Sequence, residues 1–152
     1  MQIDRYDRPA QVREAVRSWQ RDGLEVGLVP TMGALHEGHL SLIRASAAEC
    51  DRTIVSIYLN PTQFGPGEDL DSYPRRLDAD CELAEGAGAH AVFCPTDEIM
   101  YPSSYATYVD QKGLTEMLEG AHRPGHFRGV LTIVCKLLNC VPADRAFFGQ
   151  KD

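Results

Sequence analysis

The chain lacks the features that would place it in a membrane, in an oxidising compartment or on a polyanion. No apolar run approaches membrane-spanning length. Met1 to Arg8 is too charged for a signal core, so no secretory or transit segment is expected. Cys-x-x-Cys is absent, and the five cysteines (Cys50, Cys81, Cys94, Cys135, Cys140) are odd in number. All but Cys50 sit in apolar patterns, which predicts reduced, mostly buried thiols in a cytoplasmic protein rather than disulfides or metal ligands. Positive charge is scarce: 15 Lys and Arg face 22 Asp and Glu, a net charge of −7. That excludes the broad basic face of a nucleic-acid or anionic-membrane binder. A small anionic substrate needs only a few local cations and is not excluded. There is no internal repeat, low-complexity tract or linker.

What is present is ordinary globular material. A length of 152 residues with 43% hydrophobic and 24% charged residues suffices for one domain with a core. Val12, Ala15, Val16 and Trp19 recur at helical spacing between Pro9 and Asp22. Leu24–Pro30 and Thr53–Leu59 are continuous apolar runs without alternation, as in parallel strands buried on both faces. Helices are predicted over Gly38–Cys50 (Leu40, Ile43 and Ala47 on one face), Arg75–Glu85 (Leu77, Cys81 and Ala84 inward) and Phe127–Val141. Short strands are predicted at Ala91–Cys94, Ala106–Val109 and Arg145–Phe148, and a short helix around Leu114, Met117 and Leu118. This alternation predicts an α/β, Rossmann-like, doubly wound parallel sheet. The chain stops at Gly149–Asp152, past a strand and where a helix is due, which predicts the front part of a longer protein.

The chemistry concentrates at His36-Glu37-Gly38-His39, which follows the first apolar strand. A helix start carries unpaired N–H groups and partial positive charge, so it suits phosphate. Two imidazoles there can donate to phosphate oxygens as charge builds on them. Gly33 and Gly38 let the backbone come close. The bland alternative is that one histidine merely caps the helix. Asn60 precedes Pro61 and reads equally as a substrate contact or a turn residue. Arg123, His126 and Arg128 form a basic loop that suits a carboxylate or pyrophosphate, a structural turn or a subunit contact. Asp78 and Asp80 read as a solvated helix face, so no protein-held metal is expected. His90 and His122 carry no clear signal.

The flanks are more specific. With Pro30-Thr31-Met32-Gly33-Ala34-Leu35-His36-Glu37-Gly38-His39 the chain resembles the pantoate–β-alanine ligase family. Ser56 to Phe64, Tyr73-Pro74-Arg75, Leu118-Glu119-Gly120, Arg123 to Val130 and Phe148 to Asp152 extend the resemblance, in order, over essentially the whole chain. It implies an HxGH-type nucleotidyltransferase fold and ATP-dependent condensation of pantoate with β-alanine through a pantoyl-adenylate.

By position, Met32, Gly33, Ala34, Leu35, His36, Glu37, Gly38 and His39 match the family's ATP segment, with His39 as proton donor. Gly149, Gln150, Lys151 and Asp152 match its second ATP segment, although position 150 is often Glu there. Gln63 matches the contact to pantoate and β-alanine, with Asn60 beside it. The resemblance further implies Mg²⁺ carried with ATP and a homodimer through this domain. It places a later glutamine, a Ser-Ser-Arg loop and a C-terminal lid domain beyond residue 152. A related nucleotidyltransferase would show Phe-Asp-Pro before the histidines, where this chain has Pro30-Thr31-Met32-Gly33. A noncatalytic ATP-binding or assembly module is the rival of another class.

Overall fold

The computed structural model describes residues 3–63, 76–112 and 125–150. The expected helix around Leu114–Leu118, together with His122, Arg123, Lys151 and Asp152, lies outside the described residues.

Five strands form one parallel sheet: β1 (Asp4–Tyr6), β2 (Val26–Thr31), β3 (Arg52–Ile57), β4 (Ala91–Phe93) and β5 (Arg145–Ala146), in the order β1-β4-β3-β2-β5. The helices are α1 (Pro9–Arg21), α2 (Glu37–Glu49), α3 (Leu77–Ala87), α4 (Asp97–Met100) and α5 (His126–Cys140), with a single 3₁₀ turn at Pro61–Gln63. Pro9 opens α1, where its missing N–H costs nothing. Gly88, in a left-handed conformation, closes α3.

The unbroken apolar runs are explained by burial on both faces. Val26 to Val29 and Thr53 to Ser56 are all buried. Leu28, Ile54 and Phe93 point to one face and pack with Val12 and Val16 of α1 and Ile133 and Leu137 of α5. Val29, Val55 and Val92 point to the other and pack with Ile43 of α2 and Cys81 and Ala84 of α3. Each fully buried aliphatic side chain contributes about 1.5–3 kcal/mol of transfer free energy. Gly27 lets α2 approach closely: a Cβ there would lie 2.2 Å from Ser46 Oγ, itself 2.7 Å from Thr53 Oγ1.

Three expectations need correction. Leu77 does not point inward: it opens α3 and is 41% exposed. Ala106–Val109 forms no strand: the Val109 N–H donates to Thr132 Oγ1 at 2.9 Å, so a side chain of α5 replaces a neighbouring strand. The edge strand β1 is not expected from the sequence. Its three residues are all polar or aromatic and too few to show a period.

Strand order places the ligand crevice of such a sheet. From β2 the chain passes through α2 on one face to β3, whereas α5, on the other face, leads to β5 on the opposite side of β2. This reversal between β2 and β5 opens a crevice at the carboxyl ends of the strands.

Candidate functional site

At that crevice β2 ends in Thr31, and residues 32–36 form the link to α2. Thr31 Oγ1 donates to Ser56 O at 2.9 Å and accepts the Gly33 N–H at 3.2 Å, turning the chain sharply out of the sheet. Gly33 has φ +83°, a value that suits glycine, and Ala34 follows with φ +51°. The N–H groups of Ala34 and Leu35 both donate to the carboxylate of Asp80, each at 2.9 Å.

His36 is the N-cap of α2, and its Nδ1 accepts the Gly38 N–H at 3.0 Å. The His36 N–H donates to His39 Nδ1 at 3.2 Å. An imidazole that accepts at Nδ1 carries its proton on Nε2, so each neutral ring offers Nε2–H as its donor. The two rings lie 4.1 Å apart, centre to centre, tilted by 36°. His36 is exposed and His39 half-buried. The capping reading of His36 is therefore correct for Nδ1 and leaves Nε2 for other work. Gly38 serves the His36 ring: a Cβ there would fall 2.8 Å from its Cε1. Glu37 pairs with Arg44 at 2.6 Å, and that guanidinium holds the carboxyl below its usual range. Arg44 thereby offsets a negative charge at the start of α2.

Gly149 and Gln150, the described part of the second predicted segment, follow β5. Gly27 and Leu28 pair with Arg145 and Ala146, and the Phe147 N–H donates to Leu28 O at 2.9 Å. Gly149 and Gln150 thus leave the sheet beside the β2 loop.

A cavity of about 280 Å³ opens at the carboxyl ends of β2, β3 and β4, lined among others by Met32, Gly33, Tyr58, Asp80, Cys94 and Asp97. Neither histidine is among its described lining residues. Burial, more than any neighbouring charge, pushes the Cys94 thiol up to about 12, so it is no nucleophile at neutral pH.

A glycine turn, a histidine-capped helix start and a cavity at the strand ends thus stand near one another, and comparison with known proteins places the chain. The family model described as pantoate-beta-alanine ligase matches residues 5–152. The chain belongs to the pantoate–β-alanine ligase family. The pantothenate synthetase of Moorella thermoacetica is 62% identical over 94% of this chain and 50% of that protein. The crystal structure of pantothenate synthetase from Thermus thermophilus superposes with a TM-score of 0.87 at 43% identity, covering 95% of this chain and 51% of that one. A pantoate-beta-alanine ligase from Francisella tularensis, crystallised with beta-gamma ATP and beta-alanine, gives a TM-score of 0.87 at 36% identity over 95% of this chain and 55% of its own. The chain spans about half the length of the curated relatives it matches.

Within this pantoate–β-alanine ligase fold, several side chains do other than expected. Asn60 is fully buried: its Nδ2 donates to Gly129 O at 3.2 Å and its Oδ1 accepts from Thr62 N and Oγ1. Its amide ties the 3₁₀ turn to α5. Gln63 ends the 3₁₀ turn beside it. Asp78 keeps the solvated role expected of it and pairs with Arg5, but Asp80 is 3% exposed and lies under the loop that links β2 to α2. Arg128 lies over the Tyr108 ring at 4.5 Å. All five cysteines are free. Among the described residues no group of three or more His, Cys, Asp or Glu is placed to hold a metal, and no helix is long and apolar enough to cross a membrane.

The Asp80 position was readable in principle. Asp80, Cys81 and Ala84 share one face of α3, and a carboxylate in an apolar row signals a buried partner.

Proposed function

We propose that this chain is the ATP- and pantoate-binding part of a ligase that condenses pantoate with β-alanine in the cytoplasm. A pantoate carboxylate oxygen attacks the α-phosphorus of ATP, the bond to the bridging oxygen breaks, and diphosphate leaves. The β-alanine amine then attacks the acyl carbon of the pantoyl-adenylate, AMP departs with the bonding pair, and the amine loses a proton. The mixed anhydride supplies the leaving group that a free carboxylate lacks, and the protein must align two anions and keep water out.

The observation that carries this reading is the pair of imidazoles set 4.1 Å apart at the start of α2, in a chain of this family. In it, His36 and His39 meet the α- and β-phosphate oxygens, with His39 as proton donor. Met32, Gly33, Ala34, Leu35, Glu37 and Gly38 shape the loop around the triphosphate. Gly149, Gln150, Lys151 and Asp152 gather ribose and phosphates from the β5 side, and Gln63 holds pantoate and β-alanine. Mg²⁺ enters with the triphosphate as part of the substrate. The nucleotide and amine bound in the Francisella tularensis relative support ATP and β-alanine as ligands. A homodimer through this domain belongs to the same reading.

The test is AMP release with and without pantoate and β-alanine, by this chain and by a version extended to the length of its relatives, beside calorimetric titration of the 152-residue chain with ATP. Release that requires both acids is expected. Release that requires neither overturns the reading, and ATP binding without release reduces the chain to a nucleotide-holding part.

A further inference from the structure

A buried carboxylate lies beneath the loop that carries the histidines. Asp80, in the first turns of α3, is 3% exposed. Its Oδ2 accepts the Ala34 N–H and its Oδ1 the Leu35 N–H, each at 2.9 Å. With the Gly33 N–H on Thr31 Oγ1, three consecutive loop amides are satisfied from within the protein. Those amides therefore form no phosphate cradle, and their bonds must serve to fix the loop.

The loop needs fixing. Ala34, at φ +51°, is the one non-glycine residue with positive φ among the described residues. An L side chain disfavours that conformation, so Ala34 leaves it unless something outside the loop holds it there. Two acceptors on one rigid group hold two successive amides, which is what a carboxylate offers and an amide does not. His36 follows Leu35 directly, so a loop that relaxes carries the cap of α2 and both rings with it.

We infer that Asp80 is a positioning residue, whose carboxylate locks the Gly33–Ala34 turn through the amides of Ala34 and Leu35 and thereby sets where the imidazoles of His36 and His39 stand. This rests on the nucleotide reading above for what the rings meet, but not for the lock itself.

The experiment compares the unaltered chain with Asp80→Asn, with Asp78→Asn as a control on the same helix turn, and with Asp80→Asn combined with Ala34→Gly. The readouts are ring ¹⁵N shifts of His36 and His39, ATP affinity by calorimetry, thermal unfolding and amide exchange. Asp80→Asn keeps the shape but turns an NH₂ toward one loop amide. It is expected to move both rings away from the pure Nε2–H form and to weaken ATP binding by about tenfold or more. Asp78→Asn is expected to do neither. Adding Ala34→Gly is expected to recover roughly fivefold, because glycine adopts the left-handed turn without penalty. A role confined to packing α3 would lower the unfolding temperature and leave the rings unmoved.

Unchanged ring signals in folded Asp80→Asn, or no recovery with Ala34→Gly, overturn the inference. If Asp80→Asn does not fold, amide exchange in the unaltered chain decides: slow exchange at Ala34 and Leu35 supports the lock and fast exchange at both overturns it. If the unaltered chain binds no ATP, the nucleotide reading fails while the ring signals still judge Asp80.

Discussion

Asn60 and Gly129 stand 69 positions apart, and the side-chain amide of one donates to the backbone carbonyl of the other at 3.2 Å. With Thr62 N and Oγ1 on its Oδ1, the Asn60 amide is used at both ends and wholly out of water. Asn60→Ala strands the Thr62 N–H and takes from the Gly129 carbonyl its second donor beside the helical one, at about 1–3 kcal/mol, chiefly for the amide left unpaired. Thermal unfolding is expected to fall by about 4–8 °C, given the few degrees per kcal/mol of a domain this size. ATP affinity should hold within about twofold. Lost affinity at unchanged unfolding temperature would return Asn60 to the substrate.

Gly129 itself admits no side chain. A Cβ there would lie 2.6 Å from Thr62 O and 2.9 Å from Thr62 C, both backbone atoms that cannot swing aside. Gly129→Ala therefore pushes α5 off the 3₁₀ turn, and overpacking of this kind costs about 1–3 kcal/mol. Differential scanning calorimetry should show a lower unfolding temperature despite alanine's better helix propensity. A higher one would mean that the turn yields easily.

Fold and site differed in how far they could be read. The strands β2 and β3 were legible because double-sided burial writes an unbroken apolar run, as in Val26–Val29. The turn out of β2 and the start of α2 were legible because a strand, a glycine turn and two histidines are local in sequence. What sequence could not supply was the use of each polar group. The face that Asp80 shares with Cys81 and Ala84 marks it as buried, but its partners, Ala34 and Leu35, are 46 and 45 positions away and could not be read. Asn60 was evenly balanced for the same reason, since its partner across the fold is a carbonyl, which has no side-chain signature.

Tyr58 gives the protein an alkaline limit. It is 5% exposed, and its hydroxyl donates to Asp97 Oδ1 at 2.9 Å. Burial first, then the bond to Asp97 and its charge, push the phenol far above its ordinary value of 10. The unfolded chain releases this proton near pH 10 while the folded chain keeps it, so the folded state binds more protons above that pH. Stability is thus fully present below about pH 10 and falls as pH rises, by up to about 1.4 kcal/mol per pH unit for the one proton. Tyr58→Phe should flatten this fall and cost about 1 kcal/mol at neutral pH for the lost bond. Denaturant unfolding from about pH 8 to 11 measures both. An unchanged alkaline slope would show that Tyr58 ionises while folded.

Gly38 separates the stability of the site from its chemistry. The His36 ring lies over it, so an alanine Cβ would meet His36 Cε1 at 2.8 Å and Nδ1 at 3.0 Å. In Gly38→Ala the ring must swing, and the bond from Gly38 N–H to Nδ1 is lost with the fixed Nε2–H donor. Alanine in a first helical turn meanwhile favours the helix, by up to about 1 kcal/mol over glycine. Unfolding temperature is therefore expected to hold or rise slightly while adenylate formation falls at least tenfold. In the complete enzyme His39→Ala removes one donor outright and should lower pantoate-dependent pyrophosphate exchange by roughly 10²–10³-fold, the cost of one preorganised donor. Exchange is measured with labelled pyrophosphate, and near-wild-type exchange in His39→Ala would show that the phosphates are held by other groups than this pair of rings.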